Sequence, residues 1–517
     1  MMQMFKIHGN EVFLIYGPRE EVEVGENIKV WDAKKERGLI LQVIEIGLVD
    51  LPGILEDLIR NESIPSTKIV QNLPDDLKQF ISEVRNVKGA LAKVRKEIRG
   101  KDEEIVPWTG WAPNREATIE VVDDSWLISK LKIGEPFPIF VGNTAYGKSK
   151  LNLSAYDIQE GGTTVIIGKK GTGKSHAAKM LLLGLIEHGA RCIIFDVNDE
   201  YSGLSKNLEG KKSDKKIVSL NAGDNLQFLL KYIGLDVFTK VLRKSLGTGQ
   251  PSIYEVSKAW KQLSKDKKPI TLDSLLAKMG DGSDSTSKNS NKSIVSALER
   301  RFVSLQRTGL FTDDDDKATT LENELKKITK GGAVVFNLKG KSSEVVNTVV
   351  ATVLSKLESI LEHNKNYPPV FLFAEEAHLY IGDTDWENII TRMRHLGTFQ
   401  FYITNTPTEL PEMLIRQTDN LFLFNLQNNE DFMHVTPAIR LDNETTTAVA
   451  KSLPPRTCLV VGTSTREFPF VIKTPEVKYA AGETRRFFKF ENGKASIAET
   501  GEEPPAEETK PEEEFAL

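Results

Sequence analysis

One octapeptide constrains the fold of this chain more than any other stretch: Gly168-Lys-Lys-Gly-Thr-Gly-Lys-Ser175 fits G-x-x-x-x-G-K-[ST] at every fixed position. It follows the apolar run Thr163–Ile167, which reads as a short buried strand, and it opens a helical pattern from Lys174 to about His188. Strand, motif and helix in that order define a phosphate-binding P-loop. The glycines let successive backbone N–H groups point into one concavity at a helix N-terminus, where partial positive charge favours phosphate. Gly168, Lys169, Lys170, Gly171, Thr172, Gly173, Lys174 and Ser175, with His176 behind them, are therefore the candidate ATP-binding residues. Lys174 is expected to reach the β- and γ-phosphates, and the Ser175 hydroxyl to hold Mg²⁺.

Such a loop only binds; hydrolysis also needs one carboxylate for the metal's water shell and another to align water. Val370-Phe-Leu-Phe-Ala-Glu-Glu-Ala-His378 supplies both, as an apolar strand ending in Glu375 and Glu376. That places the pair where a parallel sheet opens its ligand crevice. Adjacent residues at a strand end point in different directions, so Glu375 is assigned to the metal and Glu376 to catalysis. The alternative is an ordinary acidic helix start. Further on, Thr391-Arg-Met-Arg-His-Leu-Gly397 precedes a strand ending in Thr404-Asn405-Thr406-Pro407, and Asn405 is the candidate γ-phosphate sensor. Arg394 is a candidate for acting in trans on a neighbouring subunit's nucleotide, because a guanidinium stabilises charge on a transferring phosphoryl group. For Arg392 and Arg394 alike the competing reading is a surface ion pair.

The chain of 517 residues is long enough for two or three domains. Residues 1–155 hold short β-rich runs, Val12–Tyr16, Asn27–Trp31 and Gly38–Ile46, and read as a small β-barrel or sandwich. Leu55–Arg60 and Asp75–Arg85 read as helical; Ala90–Ile98 fits either a basic helix or a strand. Pro107–Pro113 reads as a packed loop with Trp108 and Trp111 buried. From Thr163 the pattern becomes alternating α and β, with a mostly parallel sheet expected over residues 156–205 and 311–475. The strands Arg191–Phe195 and Val370–Phe373 lie more than 170 residues apart, so a helical insert is expected at 206–310. Cys458–Val461 and Phe468–Ile472 read as a closing hairpin, residues 476–517 as a C-terminal extension, and the end after about Ala495 as a disordered acidic tail.

Charge sharpens this division. The formal net charge of -5 hides a segment 206–310 with 20 Lys and Arg against 10 Asp and Glu, and a tail 501–517 with seven Glu against one Lys. The basic segment is either a solvated lysine-rich surface or a polyanion contact, with Lys211, Lys212, Lys215, Lys216, Lys265, Lys267 and Lys268 as candidates. Two cysteines and seven scattered histidines exclude a disulfide framework and a structural zinc motif, which fits a cytoplasmic setting. No apolar run approaches the roughly 20 residues of a membrane span. An Asn-Lys-x-Asp base-reading motif is missing, which argues against a switch GTPase, and a P-loop kinase needs neither the β-rich front nor the second glutamate.

GKKGTGKS, FDVNDEY at Phe195–Tyr201, FAEEAH at Phe373–His378, the RHLG run and the polar-Pro strand end together resemble the HerA branch of the HerA–FtsK ATPases. The resemblance implies a RecA-like ATPase core, an N-terminal barrel of that family's HAS type, and a helical subdomain where the insert falls. It also implies a homohexameric ring translocating on double-stranded DNA with ATP and Mg²⁺, paired with a NurA-type nuclease or with a nuclease or sirtuin-like effector in end processing or phage defence. Arg394 falls where that family has its trans-acting arginine. Two departures stand out: TNTP replaces the usual Ser-Gln-Arg-Pro, and Tyr156–Gly161 (YDIQEG) lacks the basic residue often found before the P-loop strand. The alternative function is an ATPase ring serving as assembly scaffold and nucleotide switch for an effector.

Overall fold

The computed structural model describes residues 2–17, 19–48, 88–206, 215–281, 288–382, 384, 395–438, 443–451, 453–475, 486–491 and 494–499. The expected helices at Leu55–Arg60 and Asp75–Arg85 lie outside them, as do Arg392 and Arg394.

The N-terminal strands are β1 (Gln3–His8), β2 (Glu11–Tyr16), β3 (Asn27–Asp32), β4 (Arg37–Leu48), β5 (Lys88–Arg99), β6 (Glu104–Val106) and β7 (Thr118–Val121). They form one antiparallel sheet in the order β1-β2-β5-β4-β3-β7, with β6 on β5. The ambiguous segment Ala90–Ile98 is thus a strand, fixed by pairing with β2 on one side and β4 on the other. A small barrel or sandwich was expected; among the described residues these strands form a single open sheet, with β1 and β7 as its edges. Its inner face is filled by Val12, Leu14, Ile28, Val30, Leu39, Leu41 and Val43, with Trp108 and Trp111 half-buried against them. The physical reason for an open sheet is that its other face is also apolar: Ile40 and Ile98 pack into the core of the larger unit rather than facing water.

That larger unit is built on an 11-stranded sheet in the order β12-β13-β11-β14-β15-β10-β16-β17-β18-β8-β9. Its strands are β8 (Pro138–Thr144), β9 (Lys150–Ser154), β10 (Thr163–Ile167), β11 (Arg191–Asp196), β12 (Ile217–Asn221), β13 (Gly332–Asn337), β14 (Val370–Ala374), β15 (Thr398–Thr404), β16 (Asn420–Phe424), β17 (Thr457–Gly462) and β18 (Phe470–Lys473). The seven from β12 to β16 are parallel, and the remaining four join antiparallel. β10, β14 and β16 are buried at every position, as strands covered on both faces must be.

Two boundaries move. The β8–β9 hairpin, placed by sequence in the front domain, extends the core sheet through β18, because two short antiparallel strands look the same in sequence whichever sheet they join. β12 lies inside the lysine-rich segment and caps the parallel sheet at its other edge, so that segment is not wholly helical.

The longest helices among the described residues are α1 (Lys174–Glu187), α2 (Leu235–Lys244), α3 (Gln250–Lys265), α4 (Leu272–Asp281), α5 (Lys288–Arg307) and α6 (Ser343–His363), with shorter helices elsewhere, such as Asp124–Lys130 and Asn443–Lys451. In α2, α3 and α5 the apolar positions recur at helical spacing, and Phe238 packs on Trp260 and Phe302 at ring-centroid distances of 5.9 and 5.7 Å. These side chains belong to the same apolar cluster as Val334 and Phe336 of β13 and Val349 and Val353 of α6. The helical segment therefore shares the core of the sheet rather than burying one of its own. At the C-terminus, Arg486–Glu491 (β19) and Lys494–Glu499 (β20) pair as a hairpin, so strand structure continues past Ala495, where disorder was expected. Residues 500–517 lie outside the description. Among the described residues no helix is long and apolar enough to cross a membrane.

Candidate functional site

Three parallel strands, β10, β14 and β15, lie side by side and end at the same edge of the sheet. Their C-terminal residues lead into Gly168, Glu375 and Asn405, so sequence positions more than 200 apart open onto one crevice.

After β10 the loop turns over β16. A Cβ at Gly168 would stand 2.4 Å from Phe424 Cβ, so only glycine lets the chain pass there. Gly173, at φ +114°, takes a backbone conformation that L side chains avoid, and it starts α1. The Lys169 amide donates to the Asn425 carbonyl at 3.0 Å, and the Arg456 amide to the Thr172 carbonyl at 2.9 Å, bracing the loop from behind. Lys174 is buried, and its Nζ donates to the Lys169 carbonyl at 3.2 Å. Burial pushes its amine down from the ordinary lysine value, against the pull of Glu376 and Glu375. The His176 ring is engaged by the Pro475 carbonyl.

Glu375 is 1% exposed and fully partnered. Ser175 Oγ donates to its Oε1 at 2.8 Å, and the Tyr201 hydroxyl to its Oε2 at 2.7 Å. Burial, with the nearby charge of Glu200, pushes its carboxyl up to about 8 despite those two hydrogen bonds. Tyr201 is set by its own loop: the buried Asp196 carboxylate, at the end of β11, accepts from the amides of Asn198, Glu200 and Tyr201. Lys179 of α1 pairs with Glu200 at 2.9 Å and stands 5.5 Å from the Tyr201 ring centroid. In the sequence this loop stands out only through the FDVNDEY run at Phe195–Tyr201. The local signal for Tyr201 is an aspartate at a strand end followed by amides it can cap.

Glu376 differs from its neighbour. It sits in the left-handed region at φ +45° and ψ 48°, a conformation that costs a non-glycine residue on the order of 1 kcal/mol or more. Its Oε2 is buried without a hydrogen-bond partner. Asn405, half-buried, accepts a hydrogen bond from Thr406 Oγ1 at 2.8 Å.

Among the described residues no group of three or more His, Cys, Asp or Glu is placed to hold a metal by itself. The donors nevertheless fit Mg²⁺–ATP: a glycine cradle, a buried lysine, a serine hydroxyl touching a carboxylate, and an orphaned buried carboxylate oxygen. Of the basic candidates, Lys211 and Lys212 lie outside the described residues, Lys215 is paired with Glu187 at 3.0 Å, and Lys216, Lys265, Lys267 and Lys268 are exposed.

Residues 164–357 match the family model described as the helicase HerA central domain. No curated protein matches the sequence. Among solved structures, the plasmid coupling protein TrwB in complex with ADP and Mg²⁺ shares 14% identity, covering 70% of this chain and 93% of that one, with a TM-score of 0.50. VirB4 of Thermoanaerobacter pseudethanolicus shares 18% identity over 67% of this chain and 98% of that one, with a TM-score of 0.47. The likeness to TrwB is one of fold.

Proposed function

With residues 164–357 belonging to the helicase HerA central-domain family, we propose that this protein is a homohexameric ATPase that spends ATP to move double-stranded DNA. The observation that carries this reading is the convergence of the P-loop, the Glu375–Glu376 pair and Asn405 at one sheet edge. Bound Mg²⁺–ATP supplies the phosphoanhydride bond and a cation that neutralises its developing charge.

The chain does the rest. Backbone amides from Gly171 to Ser175 and the Lys174 amine would hold the phosphates, and the Ser175 hydroxyl, now on Glu375, would be a ligand for the cation. Glu375, held by Tyr201, would hold the cation through its water shell. Glu376 takes the proton of the attacking water, and Asn405 senses the γ-phosphate. Arg394 reaches the site of the next subunit. A NurA-type nuclease or a sirtuin-like or nuclease effector docks on the ring in the cytoplasm and receives the DNA.

Two measurements test the motor. ATPase activity stimulated by duplex DNA should fall about 10-fold or more between 50 and 200 mM salt, because several neutralised phosphates release counterions. A flat salt response would remove DNA as the track. For the trans arginine, Arg394→Ala and Lys174→Ala proteins should each be inactive, yet regain turnover when mixed, since some interfaces then combine an intact loop with an intact arginine. Mixing that restores nothing would place Arg394 outside the neighbour's site.

A further inference from the structure

Between the two strand ends that bear Glu376 and Asn405 stands His378. Its Nδ1 lies 3.0 Å from Thr404 Oγ1 and 3.5 Å from Glu376 Oε2. The first is a hydrogen bond and the second is just too long to be one. That second oxygen is the buried, orphaned one.

We infer that His378 is a positioning residue whose ring exchanges partners between Thr404 and Glu376, so that the state of the β15 strand end sets the orientation of the catalytic carboxylate. This rests on the reading of Glu376 as the residue that takes the water's proton.

The geometry allows the exchange without moving the main chain. The turn around His378 is tied by the Leu379 amide to the Glu376 carbonyl at 2.9 Å and by the Tyr380 hydroxyl to the Glu375 carbonyl at 3.0 Å. One ring nitrogen serves one oxygen at a time, and closing half an ångström toward Glu376 would satisfy the orphan. An unpaired buried carboxylate oxygen costs enough free energy that such a partner is favoured once Thr404 lets go.

Thr404 is in turn tied to the sensing residue. Its Oγ1 also accepts from the Thr406 amide at 3.0 Å, and Thr406 Oγ1 donates to Asn405. A pull on Asn405 is thus transmitted through Thr406 and Thr404 to the ring, and from the ring to Glu376. In the structure the ring is on Thr404, and Glu376 Oε2 has no hydrogen-bond partner.

The test compares two replacements. His378→Asn keeps a polar atom near the place of Nδ1; His378→Leu keeps bulk without one. The leucine variant should lose about 10-fold or more in kcat with nucleotide Kd within about 3-fold of wild type, and the asparagine variant should recover most of that loss. In a Glu376→Gln background His378→Leu should add no further loss, and combined with Thr404→Val it should do no more harm than the worse single change. Equal impairment of the two variants, or a loss lying in nucleotide affinity or melting temperature, would overturn the inference. If wild type hydrolyses ATP and His378→Leu leaves kcat intact, the inference alone fails. A wild-type protein without ATPase activity sinks the proposed function and this inference with it.

Discussion

Glu376→Gln should lower ATP turnover by about 10³-fold while leaving nucleotide affinity and melting temperature close to wild type. The change is isosteric and removes only the ability to take a proton. Glu376 follows a fully buried strand, and its strained backbone at φ +45° is held from both sides, so glutamine inherits the same placement. Its amide would also meet the buried position now occupied by the unpartnered Oε2, which is no harder to bury than an unpaired carboxylate. Steady-state ATPase rates and binding of a fluorescent nucleotide read the two effects separately. Retention of more than about a tenth of the rate would take Glu376 out of the chemistry. The same variant divides motor from scaffold: a ring that still supports its effector with Glu376→Gln uses ATP as an assembly switch.

Glu375→Gln should also abolish most turnover, yet it should stabilise the protein. The carboxyl is raised from 4.5 to about 8 by burial and by Glu200. The folded state therefore holds a proton that the unfolded state has already released. Wild-type stability from this group is fully present below pH 4.5 and is lost as pH rises toward 8, by on the order of 1 kcal/mol per pH unit. Glutamine does not titrate and can still partner Ser175 and Tyr201. In metal-free buffer the two proteins should melt together near pH 5, and the variant several degrees higher at pH 8. A gap that shrinks with pH would mean that Glu375 is charged and well paired in the native state.

What could be read from the sequence was what is local in it. The P-loop is eight contiguous residues flanked by its own strand and helix, and a strand running straight into Glu375 and Glu376 is equally self-contained. The bond from Tyr201 to Glu375 spans 174 positions, and that from Ser175 to Glu375 spans 200, so no window along the chain contains either. His378 and Thr404 are 26 apart and meet only because β14 and β15 are neighbours. Ala90–Ile98 was ambiguous for the same reason: its partner β4 lies across the segment 49–87. β12 was hidden by lysines around a five-residue run: as a short edge strand with only Leu220 fully buried, it shows neither a long apolar run nor a clear alternation.

The β8–β9 hairpin has a practical consequence for anyone dividing this protein. A fragment beginning at residue 155 would contain every candidate nucleotide-binding residue named above and would look complete by motif. It would nevertheless strip β18 of β8, one of its two neighbours, and remove Ile139, which packs on α1 at Gly184 in the middle of the P-loop helix. Such a fragment would offer a bare strand edge to any other chain. Dissection should start before Pro138, where the sheet that carries the P-loop begins.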